Sequence, residues 1–381
     1  MSDSSRLAIL ADFKEEGWPS MDLVAEMLAS HSIAASGAQV KGTLIQPPYR
    51  RWMDRMPVIG RRGFAINLDR FYNRFAIYPR FAKGLVGDFD FFHVADHSYG
   101  ALVHSLPVER TGVYCHDLDA FRCLLKPKVE PRPRWFRKMA RHILAGMQKA
   151  AVVFHNSLVV RAELLRFGLV DEARLVHAPL GVANEFTHGS TAANDFATGR
   201  SNASHQSAQA VVHVGSCIPR KRIDVLIDTF ARVREVNPRA RLIKVGGSFT
   251  EDHHRRIASH ALEPFIEHRQ GLSRSELADV YRSASVVLVP SEAEGFGLPV
   301  IEALACGAPV IASDIPVLRE VGGDVVGYAP VGDIDRWASL TTQVLDDPSA
   351  IATRDQRLAH VSQYTWARHA EIIAQAYLQL V

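Results

Sequence analysis

Short β-branched runs alternate with longer amphipathic stretches along most of the 381-residue chain, and no other feature restricts its fold as much. Parallel strands need a crossover of a dozen or more residues, usually a helix, so this alternation reads as a layered α/β architecture. In the first half, strands are expected at 6–12, 91–95, 111–115, 151–154 and 174–177, with helices at 20–29, 134–149 and 158–166. The rhythm then restarts. Strands are expected at 210–214, 241–245, 285–289 and 309–312, with helices at 223–237, 274–283 and 299–305.

Between the halves, 187–209 reads THGSTAANDFATGRSNASHQSAQ, small and polar without a period, which predicts a flexible connection. The length fits two domains of about 150–200 residues better than one core. The expected organisation is a first domain over 1–186, the linker, a second domain over 210–363, and a C-terminal helix over 364–381. Both domains read as Rossmann-like, so ligands belong beyond the carboxyl ends of strands.

The net charge of +3 conceals an asymmetry. Residues 1–200 hold 26 cationic and 20 anionic side chains, against 18 and 21 for 201–381. The excess concentrates in 50–141, with 18 against 9, which points to an anionic partner or to an Arg-rich solvated surface. Cys115, Cys123, Cys217 and Cys306 form no CxxC pair, so neither a disulfide scaffold nor a zinc knuckle is written here and a reduced, cytoplasmic compartment fits. The apolar runs are far below the ~18 residues a membrane crossing needs, and the start of the chain does not read as a signal peptide. Any membrane contact is expected to be peripheral.

The stretch with most chemistry is 287–307, VLVPSEAEGFGLPVIEALACG. A buried strand ends at Pro290, a loop with two glycines follows, and Pro299 falls in the first turn of a helix. Gly295 and Gly297 expose backbone N–H groups ahead of a positive helix end, an anion site suited to a diphosphate. Glu294 and Glu302 lie eight positions apart, one in the loop and one in the helix. A carboxylate beside a phosphate is repulsive unless it binds hydroxyls, so Glu302 is expected on a ribose and Glu294 on a sugar hydroxyl or transition state. The plain alternative is a glycine turn with solvated glutamates.

This stretch resembles the E-x7-E signature of the large retaining glycosyltransferase family 4, which has the GT-B fold. Ala303 through Ile311, Glu320-Val321, Tyr281 through Ala284 and Pro290-Ser291 are similar to that family too, so the resemblance covers 210–335 strongly and the first half loosely. It implies an α/β, GT-B architecture of two Rossmann-like doubly wound domains facing across a cleft. It also implies metal-independent, retaining transfer of a hexose, mannose or glucose, from a nucleotide-diphosphate sugar, which is a co-substrate; no cofactor and no metal are expected. Glu294, His116 and Lys221 are the expected catalytic residues, His116 by contact with the transferred sugar.

On the donor side the resemblance implies Gly295, Phe296, Gly297, Leu298 and Glu302. The stretch His213 through Arg222 adds Gly215, Ser216, Arg220 and Lys221, whose cations neutralise and stabilise a departing diphosphate. Lys221 matches the family's Lys, but Ser216 stands where the family has Arg, and Arg220 is the candidate substitute. Gly247 follows another strand, where relatives have a Gly-rich turn, and Gly271 and Leu272 fall where relatives contact the base. Gly17, Ser20 and Asp117 are the expected acceptor-side residues, although 10–21 lacks the Gly-Gly loop that many relatives place after the first strand.

In the basic region Arg50, Arg51, Arg55, Arg61, Arg62, Arg70, Arg74 and Arg80 interleave with Trp52, Phe64, Phe71, Tyr72 and Phe75. Lys126 through Arg141 repeat the mixture around Trp135 and Phe136. Cations among aromatics suit nucleic acid or an anionic membrane interface. With the family resemblance, the expected partners are a glycan or lipid-phosphate-linked acceptor and an anionic inner-membrane face; no nucleic acid is expected. Asp88-Phe-Asp90, Asp117-Leu-Asp119 and Asp333-Ile-Asp335 each fit DxD without a companion motif and carry no weight. Two rivals stay open: a nucleotide-sugar isomerase on the same fold, and a non-catalytic nucleotide-sugar-binding partner.

Overall fold

The computed structural model describes residues 4–34, 39–53, 63–187 and 208–380. They form two compact units, Met1–Gly181 with Trp366–Val381, and Val182–Thr365. The first is built on β1 (Ser5–Leu10), β2 (Val40–Ile45), β3 (Phe91–Val94), β4 (Thr111–Cys115), β5 (Val152–His155) and β6 (Leu175–His177). These make one sheet in the order β2-β1-β3-β4-β5-β6, every pairing parallel. The second is built on β7 (Gln209–Val214), β8 (Ala240–Val245), β9 (Ile266–Arg269), β10 (Val286–Val289), β11 (Val310–Ser313) and β12 (Gly327–Ala329). Its order is β12-β11-β10-β7-β8-β9, again all parallel.

Each strand order reverses once, between β1 and β3 in the first sheet and between β7 and β10 in the second. Such switch points leave a crevice at the carboxyl ends of the strands, because the helices leaving neighbouring strands depart to opposite faces. Central strands are buried on both sides and read as apolar runs: VVLV in β10 and VIAS in β11 are fully buried. The helices Arg134–Lys149, Leu158–Arg166 and Arg274–Ser283 occupy the expected spans. The edge strands β2, β9 and β12 are additional, and so are the helices Glu251–Ser259 and Ile334–Asp346. β9 reads IEHR with no buried position, so its apolar signal is absent from sequence.

The division falls at Gly181 and Thr365, five residues before and two after the expected boundaries. Val182 N donates to Tyr364 O at 3.0 Å, and Phe186 buries its ring 5.9 Å from that of Tyr281. Those contacts draw 182–186 into the second unit. Residues 188–207 of the expected linker lie outside the described residues. The last helix, Trp366–Leu378, belongs to the first unit, where Tyr377 Oη donates to Phe92 O at 2.9 Å and accepts from His93 Nδ1 at 3.0 Å.

Candidate active site

In the second sheet the loop leaving β7 and the loop leaving β10 meet at the switch point. The first runs from Gly215 through a 3-10 turn, Pro219–Lys221, into the helix Ile223–Val236. The second runs from Pro290 to Gly297, where the helix Leu298–Ala305 begins. Hydrogen bonds join them: Glu292 N donates to Arg220 O at 2.9 Å, and the Arg220 side chain donates from Nη1 to Ala293 O at 3.0 Å.

The side chains meet as well. Lys221 Nζ donates to Glu294 Oε1 at 2.5 Å, Ser291 Oγ donates to the same oxygen at 2.7 Å, and Arg220 lies 3.6 Å from Oε2. The Glu294 side chain is only 7% exposed, so the alternative of a solvated glutamate fails here. Two cations and a hydroxyl offset the cost of burying this carboxylate. Arg220 thus stands beside Glu294 while Ser216, at the family's usual Arg position, is exposed.

Neighbouring strand ends extend the row. Because β10, β7, β8 and β9 are adjacent in that order, Glu294, Gly215–Lys221, Gly247 and Gly271–Leu272 follow one another along a single edge of the sheet. Lys244, buried on β8, ties two of these loops by donating to Gly215 O at 3.0 Å and to Gly247 O. Gly246 holds φ +97°, and a Cβ there would stand 2.6 Å from Gly215 O, so only glycine lets the two turns touch. His213 on β7 donates from Nδ1 to Leu288 O at 2.9 Å, and burial pushes its pKa down to about 4. It is therefore a neutral cross-link between β7 and β10. Gln270 Nε2 donates to Ser248 Oγ at 2.9 Å, and Ser273 caps the next helix.

Gly297 holds φ +104° at the helix entrance, a left-handed conformation that favours glycine. The Phe296 ring is buried 5.9 Å from that of Tyr364, so it packs the core, and the donor-side expectation for this residue concerns its backbone N–H. Leu298 is half-buried in the first helical turn. Glu302 is buried, and burial pushes its carboxyl up to about 7. Its carboxyl accepts from Tyr281 Oη at 3.1 Å. Behind these loops lies an open groove of about 930 Å³, lined by residues including Arg222, Asp224, His253, Arg256 and Glu292. Arg222 pairs with Asp224 at 2.8 Å and Arg256 with Asp228 at 2.5 Å, so its charges are already compensated.

The first unit has its own polar cluster at the β1/β3 switch. Arg74 grips Glu16 through two bonds of 2.8 Å and stacks 4.1 Å over Tyr99. Arg74 is thus committed to a buried pair and is not part of a free basic surface. Asp96 pairs with His97 at 3.1 Å; the imidazole holds the Asp96 carboxyl far below the usual range, and Asp96 raises His97 against the effect of burial. Asp12 is buried beside them, and burial with the Asp96 charge pushes its carboxyl well up.

At the end of β4, His116 is buried with Nε2 bonded to Ala95 O at 2.8 Å, and burial lowers its pKa. Its Nδ1 has no partner among the described residues. Asp117 caps its own turn by accepting from Asp119 N at 2.9 Å and lies 3.6 Å from His97 Nε2. Gly17, with φ +71°, is exposed between β1 and the helix Pro19–Ala34, and Ser20 is exposed in the first turn of that helix. In the sequence Arg74 was read only as part of the basic region, and Asp12, Glu16, His97, Ser291, Tyr281, His213 and Lys244 were not read as members of a site. No spacing rule joins residues that meet only through strand order.

Residues 198–361 match the family described as glycosyl transferases group 1, a span that contains every donor-side residue from Gly215 to Glu302. Over those residues the chain is similar to the group 1 glycosyltransferases. It is similar to the O-antigen chain mannosyltransferase B of Escherichia coli, with 27% identity over 79% of this chain and 78% of that protein. Among solved structures it is similar to sucrose-phosphate synthase from Thermosynechococcus elongatus, with a TM-score of 0.72 at 21% identity, covering 99% of each chain. It is also similar to Anabaena HepE in complex with UDP-glucose, with a TM-score of 0.71 at 17% identity, covering 98% of this chain and all of that one. These likenesses and the two parallel sheets make the chain a two-domain α/β protein of GT-B fold. Among the described residues no helix is long and apolar enough to cross a membrane.

Proposed function

We propose that this glycosyltransferase moves a hexosyl group from a nucleotide-diphosphate sugar to a glycan or lipid-linked acceptor, with retention at the anomeric carbon and without a metal or cofactor. The observation that carries the reading is the Lys221–Glu294 contact at the β7/β10 switch, directly before the Gly295–Gly297 turn. Lys221, Arg220 and the N–H groups of 295–298 hold the diphosphate and stabilise its charge as the bond from the anomeric carbon breaks. Glu302 takes the ribose, and Glu294 a hydroxyl of the sugar. The acceptor hydroxyl attacks on the face the nucleotide leaves, and the departing phosphate oxygen takes its proton. No side-chain nucleophile is involved, and His116 offers Nδ1 to a sugar hydroxyl.

Mannose is the favoured sugar, supported by the likeness to a mannosyltransferase; UDP-glucose is the alternative, supported by the HepE complex. Gly17, Ser20 and Asp117 belong to acceptor handling in this reading. The carboxylates of Glu16, Asp96 and Asp117 around that switch disfavour a phosphate at close range and favour the neutral hydroxyls of a glycan end. GDP-mannose is expected to raise the melting temperature more than UDP-glucose or ADP-glucose, and radiolabelled mannose should pass to a glycan acceptor. Donor turnover without any acceptor would favour the isomerase reading, and binding without turnover the non-catalytic one.

The same proposal includes peripheral attachment to an anionic membrane face in polysaccharide or glycolipid synthesis. Trp18, Trp52, Ile66, Phe71, Tyr72, Phe81 and Trp135 are exposed on the first unit, among Arg50, Arg51, Arg70 and Arg80. Exposed aromatics among cations suit the headgroup region. Arg55, Arg61, Arg62 and the side chain of Phe64 lie outside the described residues. Flotation with anionic vesicles is expected to carry the protein upward at low salt and release it at high salt; equal behaviour with neutral vesicles removes this part of the proposal.

A further inference from the structure

Glu302 and Tyr281 form a buried pair that the reaction as proposed leaves unexplained. Glu302 projects from the helix Leu298–Ala305 and Tyr281 from the helix Arg274–Ser283, and both are buried. The Tyr281 phenol donates to Glu302 Oε2 at 3.1 Å. Among the described residues this is the one hydrogen bond the carboxyl makes. Burial also holds the phenol well above its ordinary pKa, so it stays a donor at every working pH.

Charged neighbours do little to balance the carboxyl. From Tyr281's own helix, Arg274 favours the anion from a distance, while Arg274 itself lies 4.0 Å from Glu185. Arg282 pairs with Asp279 at 2.7 Å and donates to Glu185 O at 2.5 Å. Cys306, at the end of Glu302's helix, is a neutral thiol pushed up to about 12 by burial. From the helix Arg354–Val361, Arg357 spends its guanidinium on Gly307 O and on the carbonyls of Pro348 and Ala352, and Arg354 lies against Gly307. His360 bonds Val321 O at 2.8 Å. From the helix Pro316–Gly322, Arg319 pairs with Asp314 at 2.5 Å.

We propose that Tyr281 is a positioning residue that holds one oxygen of Glu302 so that the other receives the ribose diol of the donor, and that donor binding releases the proton of Glu302. This rests on the nucleotide-sugar reading above. One phenolic donor does not stabilise a buried anion enough to keep it fully ionised at neutrality. Two ribose hydroxyls supply the missing donors, and each favours the carboxylate. The empty site therefore carries a carboxyl about half protonated near pH 7, in line with its burial. The occupied site carries a carboxylate with three donors. The bonds that change are hydrogen bonds, and the proton leaves to buffer.

The experiment is calorimetric titration of the full chain with GDP-mannose and with UDP-glucose. Their diphosphates are diesters with no ionisation near neutrality, so any proton released comes from the protein. Titrations at pH 7 in two buffers of different ionisation enthalpy are expected to show about half a proton released per donor bound. Between pH 8 and pH 6 the Kd is expected to weaken about tenfold, from a midpoint near 7. Tyr281→Phe keeps the ring and is expected to move that midpoint upward by about one unit, with wild-type affinity regained at higher pH. Glu302→Gln is expected to bind weakly with a flat pH profile.

A merely structural tyrosine lowers affinity at every pH and leaves the midpoint in place, which overturns the assignment to Tyr281. Binding of either donor with no proton release by the wild-type protein overturns the linkage, and that measurement needs no variant to fold. Binding of neither donor overturns the nucleotide-sugar reading beneath it, and the proposal with it.

Discussion

Lys221→Ala and Glu294→Gln are each expected to reduce glycosyl transfer at least about 100-fold while the chain stays folded. Removing one partner of a buried ion pair often costs about 3–5 kcal/mol of stability. Here that cost is reduced: Glu294 keeps the Ser291 hydroxyl at 2.7 Å and the Arg220 guanidinium at 3.6 Å when Lys221 is gone. Glu294→Gln preserves the shape of the side chain and removes only its charge. The larger loss is electrostatic stabilisation of the departing diphosphate, which lowers kcat more than it raises KM. Lys221→Arg restores the charge and is expected to recover part of the rate. Transfer assays alongside thermal melts test this; wild-type rates in both variants would end the assignment of these residues.

Acid is expected to weaken the first unit before the second. Burial pushes His93 down to about 3, and His155 and His369 to about 4, and it lowers His116 as well; all four lie in the first unit. An ordinary imidazole in the unfolded chain titrates near 6.5. Between that pH and about 4 the unfolded state binds more protons than the folded one, so stability rises with pH and is lost on acidification. Each unit by which the pH falls below the unfolded value costs about 1.4 kcal/mol per such imidazole, so acidification to about pH 5 costs the four together several kcal/mol.

Groups raised by folding act in the opposite direction. In the first unit these are Asp12, Asp22 and His97, fewer than the imidazoles they oppose. In the second unit Glu302, raised to about 7, offsets His213, lowered to about 4, over much of the same window. Hydrogen exchange at pH 7.5 and pH 5 is expected to show protection falling in β3–β6 and holding in β7, β10 and β11. Equal loss in both sheets would contradict the balance drawn here.

Much of the scaffold was readable from local pattern. The helices Arg134–Lys149 and Arg274–Ser283 follow from 3.6-residue periodicity, and the buried strands β4 and β10 from unbroken apolar runs. Glu294, Gly295, Gly297 and Lys221 stood out because loop glycines and charges at strand ends announce themselves within a few residues. The place of Phe296 in the motif did not reveal that its ring serves the core.

What the chain encodes in short windows is therefore its rhythm of strands and helices and the loops that carry charge. Strand order, and with it the partner of each charged side chain, came from folding alone. Lys221 and Glu294 are 73 residues apart and meet because β10 lies beside β7, not beside β9. Tyr281 and Glu302 meet because two helices pack, and the depth at which they meet raises the Glu302 carboxyl. Edge strands such as β9 have no apolar signature because one side faces solvent. Burial and pairing are sums over distant contacts, and a charge takes its chemistry from the neighbours those contacts supply.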